Sequence, residues 1–351
     1  MPMSDTLAIA PLDEALTLAR TEDGRILAVT TYREGQVTGV DLSGLAEPGE
    51  DPVDLFNRLG REALEAAVRT GSPGLSLAAD QLDVPVRLTA RHIAVGTNYR
   101  EHAEESTVTG SPFLFPKLVE PTGPRADIPA GTGLLDFEVE LCLVPLTPLG
   151  PTDPLQGGLI LGNDVTDRAV LMRGVDLKDP QSGRGFTDGK SAPGYLPVGT
   201  LFVIPRNITG FVADLTLQLS VNGTERQRAP VTDWIWDLDE ILDRARARQA
   251  ACWSWRDGTA RLAVTAAGAI PARTLIMAGT PAGTIFQGVP ARDRRAGLWR
   301  WIRSGFRRSV VQHVITAYVA RNTAARTYLQ PGDLVTIRVD RMGALANRIT
   351  D

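Results

Sequence analysis

Lysine is nearly missing from this chain of 351 residues. Of its 37 basic side chains only Lys117, Lys178 and Lys190 are lysines, and the rest are arginines. Where ordinary surface cations have become Arg, a position that keeps Lys marks a need for a compact ammonium able to change its protonation. Cysteine is as scarce. Cys142 and Cys252 are too few for a disulfide framework, and both lie in apolar stretches, so two core thiols in a reducing compartment are expected. The three histidines, His92, His102 and His313, are not clustered, which argues against a zinc site. No stretch reaches the roughly 18 apolar residues of a membrane span. The first residues carry neither the basic flank nor the apolar run of a targeting signal. A cytoplasmic location is therefore expected and a membrane partner is not. With a net charge of −4 there is no electrostatic case for nucleic acid either.

What is present is acid in an apolar setting. Residues 134–144 (LLDFEVELCLV), bounded by Gly133 and Pro145, read as a strand of a buried sheet. Asp136, Glu138 and Glu140 are two apart and should share one face. Carboxylates gathered at the mouth of an apolar strand repel and lose hydration, so they need either water or a cation. A second apolar strand over 158–163 ends in Asn163-Asp164, placing a further carboxylate where strand gives way to loop. Oxygen-only ligation of this kind suits Mg²⁺ or Mn²⁺. The same Glu-x-Glu also reads as a solvent-facing stripe on an edge strand.

Along the rest of the chain, residues 1–86 read as a small N-terminal cap domain. It holds a hairpin over 24–42 turning at Glu34-Gly35 and a helix over 52–70 with Val53, Leu55, Phe56, Leu59, Leu64 and Val68 at helical spacing. A larger domain, 87–351, opens with a short strand over 91–96. His102 and Glu105 follow, three apart and so on one face of a helix; a carboxylate there raises the basicity of the imidazole and fixes its tautomer. Such a pair equally reads as a surface ion pair. Residues 215–221 alternate as a half-buried strand before an Asn222-Gly223 hairpin turn, and 237–248 read as an amphipathic helix. Residues 274–284 read as a strand breaking into a glycine loop. Trp234, Trp236, Trp253 and Trp255 are expected in the core or at a dimer contact. An insertion between 286 and 330 is rich in Arg and aromatics, among them Arg292, Arg294, Arg295, Trp299, Trp301, Phe306 and Arg308. Its aromatic side is expected to pack at an oligomer contact or over the active-site entrance, with a membrane or acidic partner as the other reading.

The strand DFEVEL followed by GNDVTDR resembles the fumarylacetoacetate hydrolase (FAH) superfamily, whose pattern is Tyr-Glu-x-Glu and then Asn-Asp-x-Ser-Ala-Arg-Asp. Further short motifs in the same order carry the resemblance across about 91–349, apart from the insertion: Asn98-Tyr99-x-x-His102-x-x-Glu105, Leu114-Phe115-Pro116-Lys117, Lys190-Ser191, Arg226-Gln227, Gly279-Thr280-Pro281-x-Gly283 and the closing Pro331-Gly332-Asp333. The resemblance implies a β-rich α+β fold, a mixed β-roll or β-sandwich of FAH type, and a homodimer. It implies Glu138, Glu140 and Asp164 as ligands of Mg²⁺, or of Mn²⁺ or Ca²⁺. His102 would be general base with Glu105 as its orienter, and Lys190 and Arg168 would stabilise an enolate. Tyr99, Lys117, Thr280 and Gly279 would meet the substrate. Two departures stand out: Thr166-Asp167 replaces Ser-Ala before Arg168, and Leu171 stands where some members carry a substrate-contacting Gln. A polar segment with Arg173, Lys178, Asp179, Gln181 and Arg184 reads as a mobile loop over the pocket. The implied function is metal-dependent hydrolysis of a carbon–carbon bond in a β-diketone or acylpyruvate-type 2-oxo acid through a metal-bound enolate. A decarboxylase, tautomerase, isomerase or hydratase of 2-oxo acids on the same site is the alternative. A non-catalytic binding or biosynthetic scaffold protein with a vestigial site is a third reading.

Overall fold

Apolar runs without polar alternation fold as strands covered on both faces. Val139–Val144 and Gly158–Asn163 are buried along their whole length and pair antiparallel, Glu140 opposite Gly162 and Cys142 opposite Ile160. They lie inside a sheet of ten strands in the computed structural model, which describes residues 6–72, 74–105, 111–131, 133–176, 179, 182–256, 258–307 and 309–351. On one side of this pair come Phe202–Pro205, Ala15–Arg20, Ile26–Arg33, Gln36–Asp41 and Leu75–Ala78. On the other come Ile276–Met277, His92–Gly96 and Phe113–Lys117. All neighbours run antiparallel except Ile276–Met277 and His92–Gly96, which are parallel. A second sheet of five strands orders Thr224–Pro230, Thr216–Val221, Leu334–Val339, Gly343–Thr350 and Ile128–Pro129. The chain is thus a sheet-rich mixed α+β protein.

The hairpin turning at Glu34-Gly35 forms with Tyr32 opposite Val37. The helix Pro52–Thr70 starts on an Asp51 cap that accepts the backbone N–H groups of Val53 and Asp54. These N-terminal strands do not make a sheet of their own: Ala15–Arg20 pairs with Phe202–Pro205, Leu16 opposite Ile204. Two expectations need correction. The strand expected over 134–144 is broken, because Leu135–Asp136 leaves the large sheet to pair with Thr166–Asp167 and the main strand begins only at Val139. Asp136 lies outside the main strand but still meets Glu138 through Arg168, which bonds both. Cys252 is exposed, unlike Cys142. Trp253 is fully buried, its Nε1 donating to the Leu114 carbonyl over 3.0 Å, and Trp234 and Trp236 pack half-buried against the same core. Lys178, Gln181 and Arg308 lie outside the described residues.

The insertion folds as two helices, Ala291–Arg303 and Val310–Ala325. They cross at Gly297, where a Cβ would stand 2.4 Å from the Val314 Cα, so only glycine permits this approach. Buried Asp293 accepts from Arg321 Nε at 2.8 Å and Nη2 at 2.7 Å. Leu134, Ala169, Met172, Ile315, Tyr318 and Tyr328 form a separate apolar cluster that seats the pair on the helix Arg168–Gly174. Trp299 on the first of them points to solvent and is 65% exposed. Among the described residues no helix is long and apolar enough to cross a membrane.

Candidate metal centre and active site

Strand pairing builds the acidic centre. Val139 lies opposite Asn163, so Glu138 and Asp164 leave their strands at the same end, and the Asp164 N–H donates to the Glu138 carbonyl over 2.9 Å. Glu140 follows two residues on. Oxygens of Glu138, Glu140 and Asp164 all lie within 4.8 Å of one another, and all three residues are buried.

Buried cations face this acid. Lys190 Nζ lies 2.6 Å from Glu138 Oε2 and 2.6 Å from Asp164 Oδ2. Burial works against its ammonium, but Asp164 and Glu138 outweigh it and hold the pKa above the ordinary value. Arg168 donates to Asp136 Oδ2 at 2.8 Å and to Glu138 Oε1 at 2.6 Å, and these two carboxylates likewise overcome burial and raise its pKa. Lys117 Nζ reaches Asp164 Oδ1 at 2.5 Å and also donates to the carbonyls of Lys190 and Tyr195. Here burial wins and lowers the Lys117 pKa. Asp164 itself stays below the usual carboxylate range, since Lys117 and Lys190 more than offset its burial.

Glu140 is the exception. Its Oε2 accepts the Gly279 N–H at 2.9 Å, but among the described residues no lysine or arginine is bonded to it, and burial together with the nearby Asp164 pushes its pKa well above the usual range. A buried carboxylate in that position lacks compensating charge. The donor set where the three acids converge is all oxygen, which a hard divalent ion prefers. The residues present therefore fit such a cation, with Glu138, Glu140 and Asp164 as the ones that could hold it.

A cavity of about 590 Å³ opens beside this centre, and Thr97, His102, Glu138, Arg168, Lys190 and Thr280 line it. His102 sits on the short helix Arg100–Glu105, buried, with Nδ1 3.4 Å from Glu105 Oε2. Glu105 is held in turn by the Gly283 N–H at 3.0 Å and Gln287 Nε2 at 3.2 Å. Gly283 has a φ of +105°, and a Cβ there would stand 1.9 Å from the Arg226 carbonyl oxygen, so the loop needs glycine to present this N–H.

Of the other expected substrate contacts, Thr280 lines the cavity, while Tyr99, Lys117 and Gly279 do not. Lys117 spends its donors on Asp164 and two carbonyls behind the centre, and Gly279 orients Glu140. Three residues were not expected at the site. Asp136 holds Arg168 and accepts the N–H groups of Ile285 at 2.9 Å and Phe286 at 3.1 Å. Gln227 donates to Thr280 Oγ1 at 2.9 Å and accepts the Val139 N–H at 3.0 Å, fastening the glycine loop to the strand. Its place in the Arg226-Gln227 motif was a usable signal. Thr97 has a φ of 56°, a left-handed conformation that a β-branched residue rarely adopts, and its buried Oγ1 has no hydrogen-bond partner. Nothing in its sequence neighbourhood marks it.

The fold and centre together describe an enzyme-type site, with buried acid, cations and a histidine–carboxylate pair around one cavity. The family model for the fumarylacetoacetate (FAA) hydrolase C-terminal domain matches residues 91–350, and the chain belongs to this family. It is 29% identical over 197 residues to a 2,4-didehydro-3-deoxy-L-rhamnonate hydrolase of Sphingomonas sp. (strain SKA58), a match covering 52% of this chain and 65% of that protein. It is 32% identical over 168 residues to the oxaloacetate tautomerase YcgM of Escherichia coli (strain K12), covering 46% of this chain and 74% of that one. In fold it is similar to maleylpyruvate hydrolase from Sphingobium sp. SYK-6, solved in complex with manganese(II) and pyruvate, at a TM-score of 0.58 and 20% identity over 95% of this chain and 99% of that one.

Proposed function

We propose that the protein is a divalent-metal-dependent hydrolase that cleaves a carbon–carbon bond in an acylpyruvate-type 2-oxo acid. The observation that carries this reading is the convergence of Glu138, Glu140 and Asp164, with Glu140 left uncompensated, beside a cavity that His102 and Lys190 also line. A divalent ion held there would supply Lewis acidity toward the oxygens of the 2-oxo acid. With Nδ1 turned to Glu105, His102 keeps Nε2 as the atom that takes a proton from water. The water oxygen adds to the acyl carbonyl, the bond to the pyruvyl carbon breaks, and its electron pair passes to the departing enolate. Lys190 and Arg168 place positive charge where that enolate forms, and the proton on His102 returns to its carbon. Thr280 and Thr97 offer hydroxyls to the head of the substrate.

A second reading keeps the same centre without water: proton transfer alone, as in a tautomerase. The match to an oxaloacetate tautomerase favours it. Product analysis separates the two, since hydrolysis releases a carboxylic acid and pyruvate while tautomerisation leaves the carbon count unchanged.

The test is the purified protein with Mg²⁺ or Mn²⁺ on acylpyruvates, alongside Glu138→Gln. Turnover is expected to vanish with chelator and to fall at least about a thousandfold in the variant. A variant at full rate overturns the proposal.

A further inference from the structure

The cavity is larger and more apolar than a 2-oxo acid head needs. At about 590 Å³ it has room for roughly twenty non-hydrogen atoms, taking the volume of a water for each. Pyruvate has only six. Apart from Arg294, the polar groups are those already placed around the acidic centre. The remaining wall is apolar: Leu171, Met172 and Phe186 from one side, and Val311, Val314 and Ile315 from the second insertion helix. Phe186 is itself fixed by ring contacts with Phe113 at 4.8 Å and Phe115 at 5.4 Å. Leu298, 45% exposed, and the exposed Arg294 belong to the same wall on the first insertion helix and stand at the mouth. A second carboxylate ending inside the cavity, short of Arg294 at the mouth, would face aliphatic carbon over most of this wall and lose its hydration without a partner.

We infer that the substrate carries an apolar tail of several carbons beyond its 2-oxo acid head, and that the insertion 286–330 supplies the surface selecting that tail. The inference rests on the proposed function for the head group only. Burial of each methylene against Val311, Val314 and Ile315 then adds to affinity until the cavity is filled.

Calorimetric titration of the Mg²⁺-loaded protein with straight-chain 2-oxo acids from pyruvate to 2-oxodecanoate reads the tail without turnover. Affinity is expected to rise about two- to fourfold per methylene and then level off. A matched chain ending in a second carboxylate should bind at least about tenfold more weakly than its methyl-ended counterpart. In Val311→Asp, and in Leu298→Asp at the exposed mouth where folding is not at stake, the ratio of long-chain to short-chain affinity should fall about tenfold. A flat dependence on length, or a preference for the diacid, overturns the inference while leaving the head-group reading intact if pyruvate binds. Should no 2-oxo acid bind, the head-group reading fails. The tail is then read on plain straight-chain alkanoates, where the same rise with length supports it and a flat series overturns it.

Discussion

Asp136 and Glu138 stand two residues apart and share Arg168, but their other partners differ. Asp136 bonds Arg168 and the backbone of Ile285 and Phe286, whereas Glu138 faces Lys190 and the cavity. Asp136→Asn keeps the shape and removes the charge, leaving buried Arg168 with one carboxylate. A loss of about 3 kcal/mol in urea unfolding is expected, and an unchanged stability would count against this role. On the proposed function, Glu105 would act through His102. Glu105→Gln should lower kcat about ten- to a hundredfold with little change in KM, and Glu105→Asp should recover part of it; a loss confined to KM would place Glu105 on the substrate instead. Crowded acid in apolar strands was legible from alternation and strand ends, which offered Asp136, Glu138, Glu140 and Asp164; the family resemblance is what singled out Glu138, Glu140 and Asp164, and these three converge. The break in the strand at Asp136 was not legible, since it depends on the pairing of Leu135–Asp136 with Thr166–Asp167, a contact no local pattern encodes. The scarcity of lysine flagged Lys117 and Lys190 alike. It could not say that one would line the cavity and the other sit behind Asp164.

At the scale of elements, the insertion is a pair of helices whose arginines and aromatics are conspicuous in the sequence while its working face is not. The aliphatic side of Val311, Val314 and Ile315 meets the cavity and Trp299 faces water, because Gly297 and the Asp293–Arg321 pair set the rotation of one helix on the other. Composition reports such a segment but not which stripe wins the contact. Asp293 is buried and accepts from Nε and Nη2 of Arg321, whose side chain is 31% exposed and can turn to water, so Asp293→Ala should loosen the pair by about 1 kcal/mol. The expected signature is local: faster amide exchange across residues 291–303 and easier proteolysis near 304–307, with global unfolding shifted far less. Equal loss everywhere would mean the insertion folds as one unit with the sheet.

Over the whole molecule, the N-terminal strands extend the sheet that carries the acidic centre, and a charged cluster joins the same two regions at the start of the helix Pro52–Thr70. The hairpin and helix were legible from turn residues and periodicity; the pairing of Ala15–Arg20 with Phe202–Pro205 was not, being set by the shared core. Asp51 is fully buried. It caps that helix, accepts the Arg87 N–H at 2.7 Å and takes Arg273 at 2.5 and 3.0 Å, just upstream of the strand Ile276–Met277 that delivers Gly279 and Thr280 to the site. Burial alone would raise its pKa, but the Arg273 hydrogen bond and the Arg87 N–H outweigh it and hold Asp51 below its ordinary 3.8. A depressed carboxylate contributes stability that is complete above the unfolded value and disappears as pH falls through the folded one. Asp51→Asn should therefore cost about 2–3 kcal/mol at pH 7. The gap from the parent should close as pH falls below 3.8, where the parent also loses the charge. Urea unfolding of both proteins at neutral and acid pH measures it, and a gap independent of pH would show that the carboxylate charge is not what ties the two regions together.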